Sequence, residues 1–534
     1  MSSDYLPDSI QRLVASIERA SDLTPVGIKS ALLDANVTQD DLLPWADYDH
    51  SPKDSYGRNM ICDGGRFEIM AMSWERGDYS AIHDHGHTVW GAVQVFGAAE
   101  HGIFAVNEER LVTLSRSKLS PGQVLAVGHR LVHQMGNPGN DRFMSLHVYG
   151  NCERQAAITA DARVFDLTRS EVLRTDGGVF YSLPDSEIRS REPCVVPDTY
   201  TWLFDLLQRI RRNRRAGLET AELLDQLSDP ARWDLLASDL RAIIDENGHV
   251  TDSRYWHWLR GLLTEAAALQ DEVDRLVERS GQDSDVWRTY ASYYDHVIGT
   301  TNSYIPRYLK QVFERYGVDP SAASFLDVGC GTGWLEEQLL RRFEMDPEKV
   351  LGVDPSPAML AVARTRTQVR HGGLLEVGTG FDPVDVSFSN SLQYLPHEDL
   401  ETAVENLYVV TKPGGLCVGE FISQDHIRWY PNVVFSENGL VVSLRSPTLV
   451  EKGSYTYQES EIINVSRIDG LRITHEGVHR RFVISPRRAA EVFRQTFGDD
   501  VQVFDAVSCE EISDLSQTCK STRYVVCARR TRKK

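Results

Sequence analysis

The 534-residue sequence predicts three parts. These are an N-terminal all-β domain built as a small barrel or sandwich, a helical bridge, and a C-terminal α/β domain doubly wound on a mostly parallel sheet. Length alone favours several domains, because single cores stop growing near about 250–300 residues. Pattern supplies the rest. From about Arg66 to Tyr149, short β-rich runs such as "FEIMAMSW", "VWGAVQVFG" and "FMSLHVYG" are broken by Gly and Pro. From about 198 to 280, apolar residues recur at helical spacing: Trp202, Leu203, Leu206, Leu207 and Ile210 in one stripe, Leu259, Leu262, Leu263 and Ala266 in another. Beyond these, the strand-like runs "SFLDVGC", "VLGVD", "LLEVG", "VDVSFSN" and "LCVGEFI" alternate with helical segments, the pattern of a doubly wound sheet. The boundaries on this reading are 1–175, 176–285 and 286–534. A β-rich insertion, 432–484, interrupts the last part before a helix near 486–497 and a closing strand pair. A short amphipathic helix opens the chain, with Ile10, Leu13, Val14 and Ile17 on one face.

Charge and composition exclude several classes of function. With 57 Lys and Arg against 77 Asp and Glu, the net charge is −20, so no overall positive field meets a nucleic-acid backbone. The one basic run, Arg209 to Arg215, ends a helical pattern and reads as a solvated helix terminus, its cations near the negative end of the dipole. No run of about 18 apolar residues is present to span a membrane. Met1 precedes a polar segment rather than a basic, apolar leader, so the expectation is a cytoplasmic protein. The eight cysteines are scattered without a CxxC pair and read as reduced thiols, not as a disulfide framework or zinc site.

One candidate site is "AIHDHGHTVWG", residues 81–91. His83 and His85 are two apart, on one face if the segment is a strand, while Asp84 points away. His133, which ends the strand-like run after Pro121-Gly122, supplies a third imidazole. Three neutral imidazoles suit Fe(II), Mn(II), Zn(II) or Ni(II). His87 and His101 have no comparable support and read as ordinary histidines, while His129, four residues before His133, competes as a ligand but lacks an Asn four residues on.

The frame HxH, about 48 residues, then HxxxN (His133 to Asn137) resembles the two half-motifs of the cupin superfamily, which implies a small β-barrel. The flanks narrow the resemblance. "YGRNMICDGGRFEIMAMSWERGDYSAIHDH" and the downstream "MSLHVY" are similar to cysteine dioxygenase over about 56–150. That resemblance implies that His83, His85 and His133 bind Fe(II), that Arg58 grips the substrate carboxylate, and that Ser145, His147 and Tyr149 form an outer-sphere hydrogen-bonded relay. The residue types suit these roles: a guanidinium pairs bidentately with a carboxylate, and alternate residues project to one face of a strand. Two departures stand out. The Glu that cupins often place four or five residues after the HxH is replaced by Val89 and Trp90, and "GHTVWGA" lacks the Cys that cross-links to Tyr in animal cysteine dioxygenases. The "TVWG" string resembles bacterial thiol dioxygenases, including those acting on 3-mercaptopropionate, whereas Arg58 points to the cysteine-using type.

The second candidate is "LDVGCGTG", Leu326 to Gly333, which follows an apolar run and opens a helical one. Glycines there permit a sharp turn and close approach of a ligand to backbone. With Asp354 ending "VLGVD", "VDVSFSNSLQYL" at 384–395 and "KPGG" from Lys412 to Gly415, it resembles class I S-adenosylmethionine-dependent methyltransferases, with a Rossmann-like fold. The resemblance implies that Asp327, Gly329, Gly331 and Gly333 border the methionine part of the cofactor and Asp354 its ribose. Asp382 is the candidate near the adenine, Asn390 lies in the substrate-side turn, and Tyr294 in "WRTYASYYDHV" covers the cofactor. The insertion 432–484 caps the site on this reading.

The expectation is a bifunctional enzyme: oxidation of a cysteine-like thiol by Fe(II) and O2 to a sulfinic acid, and S-adenosylmethionine-dependent methylation of a small molecule. The methyl acceptor is not legible, because methyl transfer needs mainly alignment and leaves little residue signature. Two other readings stay open. The metal cupin carries out another oxidative rearrangement of a cysteine-derived metabolite, or it is a non-catalytic sensor attached to a methyltransferase.

Overall fold

A computed structural model of the chain describes all residues except 1–5, 21–22, 156, 177, 278–286, 289, 299–301, 437–440, 454, 469, 516–521 and 532–534. It divides into two compact units, Met1–Asp239 and Leu240–Lys534. The helical segment 176–285 is shared: Thr199–Ala216 and Ala221–Leu227 fall in the first unit and Ser253–Val277 in the second. The expected junction at 285/286 lies outside the described residues.

Two sheets build the first unit. One runs in the order Gly57–Asp63, Phe67–Trp74, Phe143–Gly150, Trp90–Val95, Val124–Gly128. The other contains Ala162–Asp166, Ile82–His83, Val132–Gly136 and Ala99–Val106 side by side. Period-two alternation gives each strand two roles. In Phe143–Gly150, Met144, Leu146 and Val148 pack against Ile10, Leu13 and Ile28 of the N-terminal helices. Phe143 and Tyr149 face the other way, into a core shared with Met135, Ala162 and Val164 of the second sheet. Ser145 and His147 share that inner face, and so reach the interior between the two sheets.

The basic run 209–215 is not a solvated helix end. Arg209 and Arg212 are buried; Arg209 pairs with Asp205 at 2.8 Å and Asp166 at 3.4 Å, and Arg212 donates to the carbonyls of Asp54 at 2.6 Å and of Pro52. Positions 205, 209 and 212 share the inner helix face with Leu206, and the acids that neutralise that face come from outside the run. Only Arg214 and Arg215 within it are exposed as expected. The seven described cysteines are free, and Cys519 lies outside the described residues.

In the second unit a seven-stranded sheet runs Gln368–His371, Val350–Asp354, Phe325–Val328, Val384–Ser389, Thr411–Ile422, Arg523–Arg529, Val501–Asp505. The first five strands are parallel, and the last two are antiparallel to their neighbours. "LLEVG" is not a strand. The third strand is Gln368–His371, and after Gly372-Gly373 the chain makes a turn in which Leu374 and Val377, three apart, both enter the core. That spacing is helical, not alternating. The 432–484 segment forms an antiparallel meander, Val433–Phe435, Val441–Lys452, Tyr455–Ser466 and Arg472–Val483. Helix Ser253–Val277 is tied to it by Gln270, which accepts from Ile473 N at 2.7 Å and donates to Leu471 O at 3.2 Å. Among the described residues no helix is long and apolar enough to cross a membrane.

Candidate active sites

Antiparallel pairing sets His83 opposite His133. His85 lies just past the end of its two-residue strand, yet its ring stands 5.2 Å from that of His83 and 4.7 Å from that of His133. All three are buried, and one ring nitrogen from each lies within 4.8 Å of the other two. His83 donates through Nδ1 to Ala81 O at 2.8 Å, which leaves its Nε2 as a lone pair 3.2 Å from His133 Nε2. The Leu131 backbone approaches His85, but neither ring nitrogen makes a hydrogen bond. Burial holds His83 down to about 4 and His85 and His133 well below the ordinary range, so all three are neutral near pH 7. Converging neutral imidazoles with orphaned nitrogens fit a divalent cation. Asp84 is turned away to Arg163 at 2.7 Å.

His101 does not behave as an ordinary histidine: its Nε2 meets His133 Nδ1 at 2.8 Å. A partner on the second nitrogen fixes the tautomer and orientation of a ligating imidazole. Sequence reasoning missed it because the contact depends on strand register, which sets Ile103 opposite His133 and brings the same-face His101 alongside. His87 and His129 are exposed, outside the cluster. Asn137 fixes the turn after His133, donating to Trp74 O at 3.2 Å and Asp141 O at 2.9 Å.

The same small cavity, about 30 Å³, is lined by Arg58, Tyr56, His147 and Tyr149 besides the three histidines. Trp74 Nε1 donates to Ser145 Oγ at 2.8 Å, and the serine and histidine meet at 2.8 Å through His147 Nε2. Indole is a donor only, so Ser145 accepts from it and gives its own hydrogen to Nε2. His147, held down to about 3 mainly by burial and then by His83 and Arg58, is neutral and carries its proton on Nδ1. Nδ1 donates to the Tyr149 hydroxyl oxygen at 2.8 Å. Burial keeps the Tyr149 phenol protonated, and its hydrogen remains for donation into the cavity, beside His85 at 5.0 Å between rings. Arg58 Nη2 is 3.4 Å from Thr159 Oγ1, which donates to Glu68 at 3.2 Å.

The second unit holds a cavity of about 700 Å³ walled by Asp327, Gly329, Gly331, Asp354, Asn390 and Tyr294, among others. Gly329 has φ +91°, and a Cβ there would lie 2.0 Å from Ser391 Oγ; at Gly331, φ +56°, an added Cβ would meet nothing within 4 Å. Asp354 accepts from Gly331 N at 2.8 Å and Ser356 N at 2.9 Å, tying the loop to the second strand. Gly333 and Asp382 do not line this cavity. Gly333 begins helix Trp334–Phe343, with room for a Cβ limited by Ala363 at 3.2 Å, and Asp382 is exposed because its segment turns outward before Val384. Gly373 to Glu376 stand on the wall instead. Asp327 Oδ1 is buried without a hydrogen bond, and burial, then the charges of Glu336, Asp354 and Glu420, raise its carboxyl well above the usual range. Glu336, which sequence reasoning passed over, is fully buried with neither oxygen bonded and is pushed up to about 8, first by burial. The unbonded Asp327 oxygen on the cavity wall, its carboxyl raised by burial with no counter-charge facing it among the described residues, and the open glycine turn fit a cationic cofactor such as S-adenosylmethionine.

Comparison with known proteins agrees with both halves. Residues 20–155 match the family model of cysteine dioxygenase type I, and residues 325–415 match that of a methyltransferase domain. The chain therefore joins a cysteine dioxygenase-type cupin domain to an S-adenosylmethionine-dependent methyltransferase domain, both enzyme families, with Fe(II) and S-adenosylmethionine as their cofactors. Among curated relatives, the trans-aconitate 2-methyltransferase of Variovorax paradoxus is 37% identical over 101 residues, 18% of this chain and 38% of that protein. The carboxy-S-adenosyl-L-methionine synthase of Chromohalobacter salexigens is 30% identical over 135 residues, 23% of this chain and 46% of that protein. The chain thus spans less than half the length of these relatives. A solved S-adenosylmethionine-dependent methyltransferase from Clostridium acetobutylicum aligns with 46% of this chain and 99% of its own, at a TM-score of 0.37 and 14% identity.

Proposed function

We propose that the first unit oxidises a small cysteine-like thiol to its sulfinic acid with O2, and that the second methylates a small molecule, the two belonging to one sulfur-metabolite sequence. The convergence of three neutral histidines, Arg58 and the Tyr149 hydroxyl on one small cavity carries this reading. His83, His85 and His133 would hold Fe(II), which supplies the redox chemistry with dioxygen that a closed-shell thiol lacks. Arg58 binds and orients the substrate carboxylate as a fork. The Trp74–Ser145–His147 chain holds the Tyr149 hydrogen directed at the thiol, and the buried walls exclude water. Both oxygen atoms of O2 enter the product, so the overall reaction needs no further reductant. Joining the two activities on one chain raises the local concentration of any shared intermediate.

Mass spectrometry of aerobic reactions of the Fe(II)-loaded protein with L-cysteine, with and without S-adenosylmethionine, tests the reading. A product heavier by two oxygens, gaining a methyl group only with the methyl donor, is expected. Unchanged L-cysteine in the presence of bound iron would remove it as the substrate, and a product of any other mass would favour a different oxidation.

A further inference from the structure

Among the described residues, two cations of the meander have no carboxylate to neutralise them. Arg445 and Arg481 project from its strands into the same cavity that Asp327, Gly331 and Asp354 line. Arg445 is 0% exposed; its Nε has only a 3.4 Å contact with Ser443 Oγ, and neither Nη1 nor Nη2 makes a hydrogen bond. Arg481 is 8% exposed, gives Nε to the Tyr394 hydroxyl at 3.2 Å, and leaves Nη1 without a partner. Both guanidiniums stand against the Tyr430 ring, 4.8 Å and 5.0 Å from its centre. Among the described residues neither has a carboxylate within ion-pair distance. The nearby acids are engaged elsewhere: Glu420 holds Arg523 at 2.8 Å, and Glu476 accepts from Tyr293 at 2.6 Å and Thr474 at 2.6 Å.

A buried guanidinium without a counter-charge is strongly unfavourable unless something else binds it. Two side by side repel as well, and the field is visible on Tyr430: burial alone would raise its phenol, but Arg445, Arg481 and Arg523 together draw it below the ordinary value. His426 and His479 add no cation, since burial and then the arginines hold both below the usual range. The cavity is thus polarised, with acids beneath the glycine turn and unpaired cations under the meander.

Given that the second unit is a methyltransferase, we propose that the meander half of the cavity is an oxyanion site: the methyl acceptor is a small acid whose carboxylate or sulfinate group is gripped by Arg445 and Arg481 beside Tyr430. The planar fork of a guanidinium matches the paired oxygens of either group. A sulfinic acid made by the first unit and a carboxylic acid made elsewhere present the same chemistry here.

The test is isothermal titration of the full-length protein, loaded with S-adenosylhomocysteine, using L-cysteine sulfinate, methanesulfinate and acetate, repeated on Arg445→Gln, Arg481→Gln and the conservative Arg445→Lys. Oxyanion binding that weakens at least tenfold in either Gln variant, with partial recovery in Arg445→Lys and unchanged S-adenosylhomocysteine affinity, is expected. Preference for L-cysteine sulfinate over acetate assigns the site to the oxidised product; equal binding assigns it to a carboxylic acid from another source. Loss of S-adenosylhomocysteine affinity with oxyanion binding intact would overturn the proposal, because the arginines would then hold the cofactor's own carboxylate. No oxyanion binding to a protein that does bind S-adenosylhomocysteine would also overturn it. Arginine-dependent oxyanion binding without S-adenosylhomocysteine binding would keep the anion site and remove the methyltransferase reading.

Discussion

Adding one methyl group to the glycine turn at two neighbouring positions separates folding from cofactor binding. At Gly331 the backbone sits at φ +56°, inside the left-handed well, and an added Cβ meets no protein atom within 4 Å. Alanine there costs about 1 kcal/mol of conformational strain, which moves Tm by only about 2–4 °C in a unit of this size. The new methyl projects into space that a cofactor would occupy, so S-adenosylhomocysteine binding should weaken at least about tenfold, or 1.4 kcal/mol. At Gly329, φ +91° lies outside that well, and the Cβ would stand 2.0 Å from Ser391 Oγ and 2.5 Å from Ser391 Cβ. Ser391 must then move, losing its 3.4 Å contact with Gly329 O, and strain plus displacement should cost roughly 3 kcal/mol or more. Scanning fluorimetry and titration calorimetry on Gly331→Ala, Gly329→Ala and Gly329→Ala/Ser391→Gly measure the two effects. Gly331→Ala should be stable and bind poorly; Gly329→Ala should be unstable and partly recovered by Ser391→Gly. Wild-type affinity in Gly331→Ala would refute the assignment of this turn to the cofactor.

Three further outcomes are expected. His101→Phe removes the partner of His133 Nδ1 and should lower iron affinity about 10–100-fold at an unchanged fold, read as metal retained against a chelator; full retention would make His101 a bystander. Ser145→Ala breaks the link that sets the His147 tautomer and should slow thiol oxidation about tenfold without altering iron content; an unchanged rate would remove the relay from the reaction. Asp198 caps helix Thr199–Ala216 by accepting from Thr201 N at 2.7 Å, yet burial, with Asp239 adding to it, raises its carboxyl from 3.8 to about 6. A folded value above the unfolded one means stability is greatest below pH 4 and declines between about pH 4 and 6. Asp198→Asn keeps a capping oxygen without the charge, so it should raise stability at pH 7.5 by about 1–3 kcal/mol and lose the advantage near pH 4; a pH-independent difference would contradict the account.

Local pattern and non-local register divide what was legible. Alternation alone put Ser145, His147 and Tyr149 on one face, and the interior they reach is where the structure has them. The HxH spacing also held, although only His83 is in a strand and His85 is delivered by the turn that follows. His101 was passed over because its neighbour is 32 residues away in sequence and is fixed by strand pairing. Arg209 and Arg212 were misread for a related reason: a cationic helix end looks solvated until Asp166, on a distant strand, is placed against it. Asp382 failed because "LLEVG" has the composition of a strand but the spacing of a helical turn, which shifts the wall to Gly373–Glu376. Arg445 and Arg481 carry no sequence signal, since whether an arginine in a strand has an acid partner depends on the elements packed over it: Arg445 sits in the buried, largely apolar start of Val441–Lys452, and Arg481 among the charged residues of Arg472–Val483.

The strand order of the second unit bears on how the chain can be made. Arg523–Arg529 fills an interior slot, hydrogen-bonded to Thr411–Ile422 on one side and Val501–Asp505 on the other. During synthesis Thr411–Ile422 leaves the ribosome about a hundred residues before its partner exists, and for that interval it presents a bare, apolar edge. The first unit, complete by Asp239, is free to close long before. A chain cut between Ile422 and Arg523 therefore keeps one intact unit and exposes an unpaired strand in the other, so a premature stop in that stretch of the message should yield an aggregating protein and not a shortened enzyme.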